Sequence, residues 1–348
     1  MTELSFDQVP FNMQIPQPYL LFLGDVSDPL AIKMARGIHS WRPEACIGQL
    51  RLNQETPSVG ISDLTLAQGR EGGAKTLVIG TTNAGGKLPQ HWLDTLLEAV
   101  ECGYHVASGM HQRLSDIAPL AEAARRKAVE LFDIRHSAPL LDVGNGKKRS
   151  GKRILTVGLD CAVGKMFSAL AIEQELNARG LNSDFRATGQ SGILIEGSGI
   201  AIDAVVADFI SGAVEQLAPD ASDDHWDVIE GQGSLYNPSF AGVSMGLLHG
   251  AQPDYLVMCH EFERPHMRHL PHFSLPSYEE CVNANLVHAR TTNPNVRLAG
   301  FSINTSNVDE KRARAHLAEL EEKFGVPATD PVRFGIAPVI DSLLAMDA

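Results

Sequence analysis

Short apolar runs recur along this chain, and a stretch long enough for a helix separates most of them. YLLFLGDV (19–26), ACIGQLRL (45–52), KTLVIGT (75–81) and YHVASG (104–109) read as strands in the first part. RILTVG (153–158), DFRATG (184–189), WDVIEG (226–231), DYLVMCH (254–260) and RLAGFSIN (297–304) continue the series. Helical patterns fall between them: from Asp28-Pro29 through Trp41, and over 90–101, 117–132, 165–179, 202–217 and 309–324. Strands apolar on both faces and alternating with helices need a parallel sheet covered on each side. The expectation is an α/β chain of two doubly wound, mainly parallel sheets.

Between the two series lies DVGNGKKRSGKR (142–153), glycine-rich, basic and without apolar period. It reads as a solvated linker, which divides the 348 residues into domains at 1–145 and 146–348, each long enough for its own core. A nucleic-acid patch is the other reading of this basic run, but the chain carries a net charge of −13. That balance argues against nucleic acid and against an anionic membrane surface as partners. An anionic ligand must then be held locally, by backbone N–H groups and a few chosen cations. Five cysteines without a CxxC pair suit reduced thiols in a cytosolic protein. The N-terminal stretch lacks the basic and apolar regions of a secretion signal, and no apolar run is long enough for a membrane helix. The expected location is the cytoplasm.

The strand at 153–158 runs into GLDCAVGKMF (158–167). Strand, glycine loop and helix in this order make a phosphate cradle. Gly158 and Gly164 let the backbone wrap an anion, Lys165 adds a charge, and the helix start presents free N–H groups. The candidate cofactor-binding residues are Gly158, Asp160, Cys161, Ala162, Val163, Gly164, Lys165, Met166 and Phe167. The plain alternative is an ordinary strand-to-helix turn with a surface lysine. Met166 stands where such loops place the Ser or Thr that holds magnesium, and a thioether offers no hard oxygen. A ligand with a diphosphate but no transferable γ-phosphate would not miss it, and coenzyme A is one.

Five residues separate the two glycines, and this longer form resembles the GTDxxVGKT loop of dethiobiotin synthetases. DCAVGKM (160–166), ATGQSGILI (187–195), IDAVVADF (202–209), IEGQGSL (229–235) and TTNAGG (81–86) together resemble the DgcN-type D-glutamate N-acetyltransferase family, long filed as a domain of unknown function. The resemblance spans essentially the whole chain. It implies a Rossmann-like N-terminal domain and a P-loop NTPase-like C-terminal domain. It also implies an acyltransferase that moves acetyl from acetyl-CoA, its co-substrate, to the amino group of D-glutamate, with no metal required. Phe167 departs from the Thr common in related sequences. An ATP-dependent ligase or kinase of the dethiobiotin-synthetase type is the alternative, opposed by Met166 and Phe167. A non-catalytic nucleotide-binding sensor is the third reading.

Two residues are candidate catalytic bases. Glu230 ends WDVIE, and His260 follows DYLVMC. A poorly solvated site would raise the Glu230 pKa toward the operating pH. The competing role for Glu230 is to cap N–H groups of its own glycine-rich turn. Gln190 and Ser191, in the stretch after DFRATG, are candidates to hold a substrate carboxylate or the thioester oxygen. N–H groups around 189–192 or 231–233 are candidate oxyanion donors. HEFERPHMRHLPH (260–272) invites a zinc reading, but it lacks the i, i+4 histidine pair and two prolines interrupt it. Arg264 and Arg268 in this run suit the two carboxylates of glutamate better. In the first domain, Asn83 and His111 follow strands and are expected to complete a cleft with the second. Cys161 reads as a small loop residue rather than an acyl-carrying thiol. GxGxxG is absent, which disfavours NAD. A homo-oligomer is expected from base rates alone.

Overall fold

The computed structural model describes residues 13–81, 86–136 and 141–347. The chain divides into two units, one of residues 1–140 with 193–200 and the other of 141–192 with 201–348. The first unit runs β1 (Tyr19–Gly24), α1 (Lys33–Trp41), β2 (Cys46–Arg51), α2 (Leu66–Glu71), β3 (Thr76–Ile79), α3 (Leu93–Glu101), β4 (His105–Ser108), α4 (Ala118–Lys127) and β5 (Leu131–Asp133). Its five strands lie in the order β2-β1-β3-β4-β5, all parallel. Leu20, Phe22, Leu77, Ile79 and Val106 pack with Trp92, Leu96 and Leu120 in one apolar cluster.

Two elements here differ from the sequence reading. The helix expected from Asp28 begins only at Lys33. The helix expected to reach 132 ends at Lys127, where Ala128 turns left-handed at φ 53°, and Leu131–Asp133 then forms an edge strand. No glycine marks that stop, so the composition carried no sign of it.

The second unit contains β6 (Lys152–Gly158), α5 (Lys165–Ala178), β7 (Ser183–Arg186), α6 (Gln190–Glu196), α7 (Ile210–Leu217), β8 (Trp226–Ile229) and α8 (Ala241–Ala251). It continues with β9 (Tyr255–Glu261), α9 (Tyr278–Ala289), β10 (Arg297–Asn304), α10 (Glu310–Phe324), β11 (Ala328–Thr329) and α11 (Ala337–Asp347). The last four residues of α6 count with the first unit. The sheet order is β11-β10-β9-β6-β8-β7, again all parallel. The chain leaves β6 for the β7 edge, returns through β8, and crosses to β9 on the other side of β6. Ligands of open α/β sheets collect outside the carboxyl ends of the strands at such a reversal.

The helix expected over 202–217 is broken. Short 3₁₀ turns at Ile202–Ala204 and Ala207–Phe209 precede α7, with Val205 and Val206 extended between them at ψ 139° and 136°. Adjacent β-branched residues lose χ1 freedom in a helix and favour that extended step. The basic linker is only partly solvated. Lys147 and Lys148 are exposed, whereas Arg149 and Arg153 are buried. Arg149 donates to the carbonyls of Glu215 (2.9 Å) and Ala218 (2.7 Å), which lie far along the chain. Among the described residues, no helix is long and apolar enough to cross a membrane.

Candidate functional site

β6 delivers the chain into the loop 159–164, and α5 starts at Lys165. Gly164 takes φ 101°, a conformation closed to most side chains, and so turns the backbone into the helix. The Ser168 N–H closes the first turn of α5 on the Gly164 carbonyl (2.9 Å), and the N–H groups before it open toward the loop, as at any helix start. The loop carbonyls, by contrast, are occupied. Leu159 accepts from Ser234 Oγ (2.9 Å) and Asp160 from Lys165 Nζ (2.8 Å). Cys161 and Ala162 accept from the two Nη atoms of Arg264 (2.7 and 2.8 Å). Negative dipole ends are thereby held by protein donors, and the Cys161 N–H in turn donates to the Asp160 carboxylate. Lys165 is buried, and the loss of water pushes its ammonium below the ordinary lysine value. Met166 is half-buried and Phe167 is 40% exposed.

Asp160 is fully buried within this loop. One carboxylate oxygen accepts from Asn237 Nδ2 (2.9 Å), the other from Arg264 Nη1 (2.8 Å) and the Arg268 N–H (2.6 Å). Burial works to raise this carboxyl, but the donors outweigh it and hold the group below the usual aspartate range. Asp160 is thus a structural anchor inside the cradle rather than an open contact for a ligand.

Glu230 follows β8 and is buried. It caps backbone N–H groups, as one expectation held, but those of another segment rather than its own turn. Its Oε2 accepts from Thr188 N–H (2.9 Å) and Gly189 N–H (3.0 Å), at the entry to α6. Thr188 Oγ1 donates back to the Glu230 carbonyl (2.6 Å) and accepts from Gln232 Nε2 (3.0 Å). Burial pushes the Glu230 carboxyl up to about 7, although the two N–H groups and Lys165 oppose the shift. The turn after Glu230 lies directly on β6: a Cβ at Gly231 would stand 1.7 Å from the Thr156 carbonyl oxygen. The Gly231 N–H is bound to Thr156 Oγ1 (2.9 Å), so neither it nor the Gly189 N–H is free as an oxyanion donor.

His260 is the penultimate residue of β9, inside the strand rather than after it. It is buried, and its Nδ1 has no hydrogen-bond partner. Burial, aided by the nearby charge of Arg264, lowers its pKa to about 4, so the imidazole is neutral at physiological pH. Tyr278 meets it edge-on, with ring centroids 5.5 Å apart, and the Tyr278 hydroxyl lies 3.0 Å from His316 Nε2.

Lys165, Glu230, His260 and Arg264 thus share one sheet edge with the loop. Arg268 is exposed, anchored through its backbone to Asp160. Gln190 and Ser191 form the first turn of α6. Arg264 does not offer a free fork to a substrate, because its N–H groups are committed to the loop and to Glu261. His111 is exposed beyond β4 in the first unit, and Asn83 lies outside the described residues. The histidine-rich run does not converge: among the described residues, no three His, Cys, Asp or Glu side chains are grouped to hold a metal ion. Ser234 and Asn237, which tie the loop to the segment after β8, carried no sequence signal for that job.

Residues 142–340 match the family model described as the DUF1611_C P-loop domain, of unknown function, and residues 51–137 match the DUF1611_N Rossmann-like domain. A D-glutamate N-acetyltransferase of a Pseudoalteromonas species is 49% identical over 331 residues, covering 95% of this chain and all of that protein (100%). A D-glutamate N-acetyltransferase of Tritonibacter scottomollicae is 48% identical over 332 residues, with coverage of 95% and 100%. Among solved structures, a DUF1611 family protein from Anabaena variabilis matches with a TM-score of 0.81 at 29% identity, covering 95% of this chain and 100% of that one.

Proposed function

The chain belongs to the DUF1611 family, and from that premise we propose that it catalyses the reaction for which its relatives are named. It is an acyltransferase that places an acetyl group on the amino nitrogen of D-glutamate. One observation carries this reading: 49% identity to a D-glutamate N-acetyltransferase along the whole of that relative.

Acetyl-CoA is the donor in this proposal, written as a co-substrate. Its diphosphate lies against the amides of Val163–Lys165 and the start of α5, beside the Lys165 ammonium. The thioester then reaches the sheet edge near Glu230 and His260. Glu230 takes the proton that the substrate ammonium must lose, since a base with a pKa near the working pH is the most effective. The free amine attacks the thioester carbonyl, a C–N bond forms, and the C–S bond breaks. The CoA thiolate leaves and is protonated. Neutral His260 offers its unpartnered ring nitrogen to a polar group of the reactants. Burial pushes the Cys161 thiol above its ordinary pKa, which leaves little thiolate to carry acetyl and favours direct transfer. Arg268 is the guanidinium available for a glutamate carboxylate. The proposal includes a cytoplasmic, homo-oligomeric enzyme with free thiols.

Two assays on the purified chain test the reading. Thiol release from acetyl-CoA that depends on D-glutamate is the expected result. Phosphate release from ATP in place of thiol release would replace the acyltransferase with the ligase. Lys165→Ala should weaken CoA binding by about 10–100-fold, the loss of one charge-assisted contact, and leave the D-glutamate KM nearly unchanged. Unchanged CoA affinity would move the diphosphate away from the loop.

A further inference from the structure

We propose that Arg264 is a positioning residue: it holds the phosphate loop in its anion-binding shape and does not bind the amino-acid substrate. The inference deepens the proposed function, because the ligand that benefits is the CoA diphosphate.

A guanidinium has five N–H donors. Every one of them is used here within the protein. Nε donates to Glu261 Oε2 (2.9 Å), and one Nη2 hydrogen goes to the same carboxylate. Nη1 donates to Asp160 Oδ2 (2.8 Å) and the Cys161 carbonyl (2.7 Å), and Nη2 also donates to the Ala162 carbonyl (2.8 Å). The side chain is only 10% exposed. A substrate carboxylate could engage this arginine only by breaking bonds already made.

Those bonds fall on the part of the loop under most strain. Ala162 is left-handed at φ 51°, a conformation that non-glycine residues seldom adopt. Its carbonyl and that of Cys161 are drawn to the planar fork of Arg264. With both carbonyls turned to the guanidinium, the N–H groups that follow face the opposite way. Released, either carbonyl could swing toward the anion and repel it. Glu263 and His269, both left-handed at φ 61°, bracket the segment that carries the arginine. Asp160 ties that segment down through Arg264 and the Arg268 N–H. The clamp therefore joins three pieces of chain: the loop, the segment after β8 through Asn237, and the segment after β9.

Hydrogen exchange on the ligand-free full-length chain tests the clamp independently of any donor. Arg264→Gln is expected to speed exchange about tenfold or more in peptides covering 160–166, with β10 and α10 at wild-type rates. Calorimetry with CoA should show about 10–100-fold weaker binding, whereas the D-glutamate KM stays within about twofold. Arg264→Lys keeps the charge beside Asp160 but cannot span both carbonyls, so it should fall between the two. It carries the same comparison if the glutamine variant does not fold. Arg312→Ala removes an exposed partner of Glu263 on the same segment and should leave loop exchange unchanged. Loop exchange that is unaltered in the Arg264 variants, or equally fast in Arg312→Ala, overturns the proposal. So does a raised D-glutamate KM with CoA affinity intact. A wild-type chain that fails to bind CoA would refute the donor assignment, and exchange would still decide the clamp.

Discussion

Two buried carboxylates sit toward the two ends of β8. Asp227, near the amino end, is ringed by basic groups: Arg186 Nε at 2.6 Å, His225 Nε2 at 3.2 Å and Arg153 Nε at 3.9 Å. Glu230, past the carboxyl end, is also withdrawn from water, but its hydrogen bonds among the described residues come from the Thr188 and Gly189 N–H groups and the Gln232 side chain, with Lys165 acting through its charge. A buried carboxylate among guanidinium groups stays charged and fixed, and removing one member strands the others. A buried carboxylate held by neutral dipoles has a reason to take a proton. Equal burial thus meets a ring of basic side chains at one end of the strand and a titrating group at the other.

The largest effect expected from this contrast is on catalysis. Glu230→Gln keeps an acceptor for the Thr188 and Gly189 N–H groups but removes the base, so kcat should fall by about 10²–10⁴-fold. Steady-state kinetics at saturating acetyl-CoA would check it, and a kcat within a few-fold of wild type would return Glu230 to a purely structural role. Next comes Asp227→Ala, expected to cost about 3–5 kcal/mol of folding stability by urea denaturation, with KM values of the folded protein unchanged. A loss below about 1 kcal/mol would mean the arginine ring does not depend on its carboxylate.

The pH dependence sharpens the contrast with a smaller effect. Glu230 has a folded pKa of about 7 against an ordinary 4.5. Its contribution is full below 4.5 and is lost as pH rises through 7, by about 3 kcal/mol. His260 runs the other way, at about 4 against 6.5: its contribution is present above 6.5 and is lost as pH falls toward 4. The two slopes oppose each other between pH 4.5 and 6.5. Thermal melts of Glu230→Gln should therefore rise with pH across that window more steeply than those of the wild type. Parallel curves for the two proteins would contradict the raised Glu230 pKa.

The sheets, and the loop on the central strand of the second one, were legible because their signals are local. An apolar run followed by Gly158, Gly164 and Lys165 contains its own strand, turn and helix start. Glu230 and His260 were legible for the same reason, as polar residues closing apolar strands. Partners far apart in sequence were not. Arg149 reads as part of a solvated basic run, yet its acceptors are carbonyls near α7. Arg264 reads as a substrate fork in a charged loop, yet its acceptors lie in the phosphate loop. α6 was hidden by Gly189 and Gly192, which look like turn residues until Glu230 is seen capping the entry to that helix. In each case the deciding contact is long-range, and residue type alone leaves its direction open.

The grip of Arg264 on residues 161 and 162 uses main-chain oxygens alone. Such a grip is indifferent to spelling: other small residues at these two positions would present the same atoms to the same fork. Mutational tolerance there should accordingly be broad, while Asp160, whose side chain is the third acceptor on the loop, should accept almost no substitute.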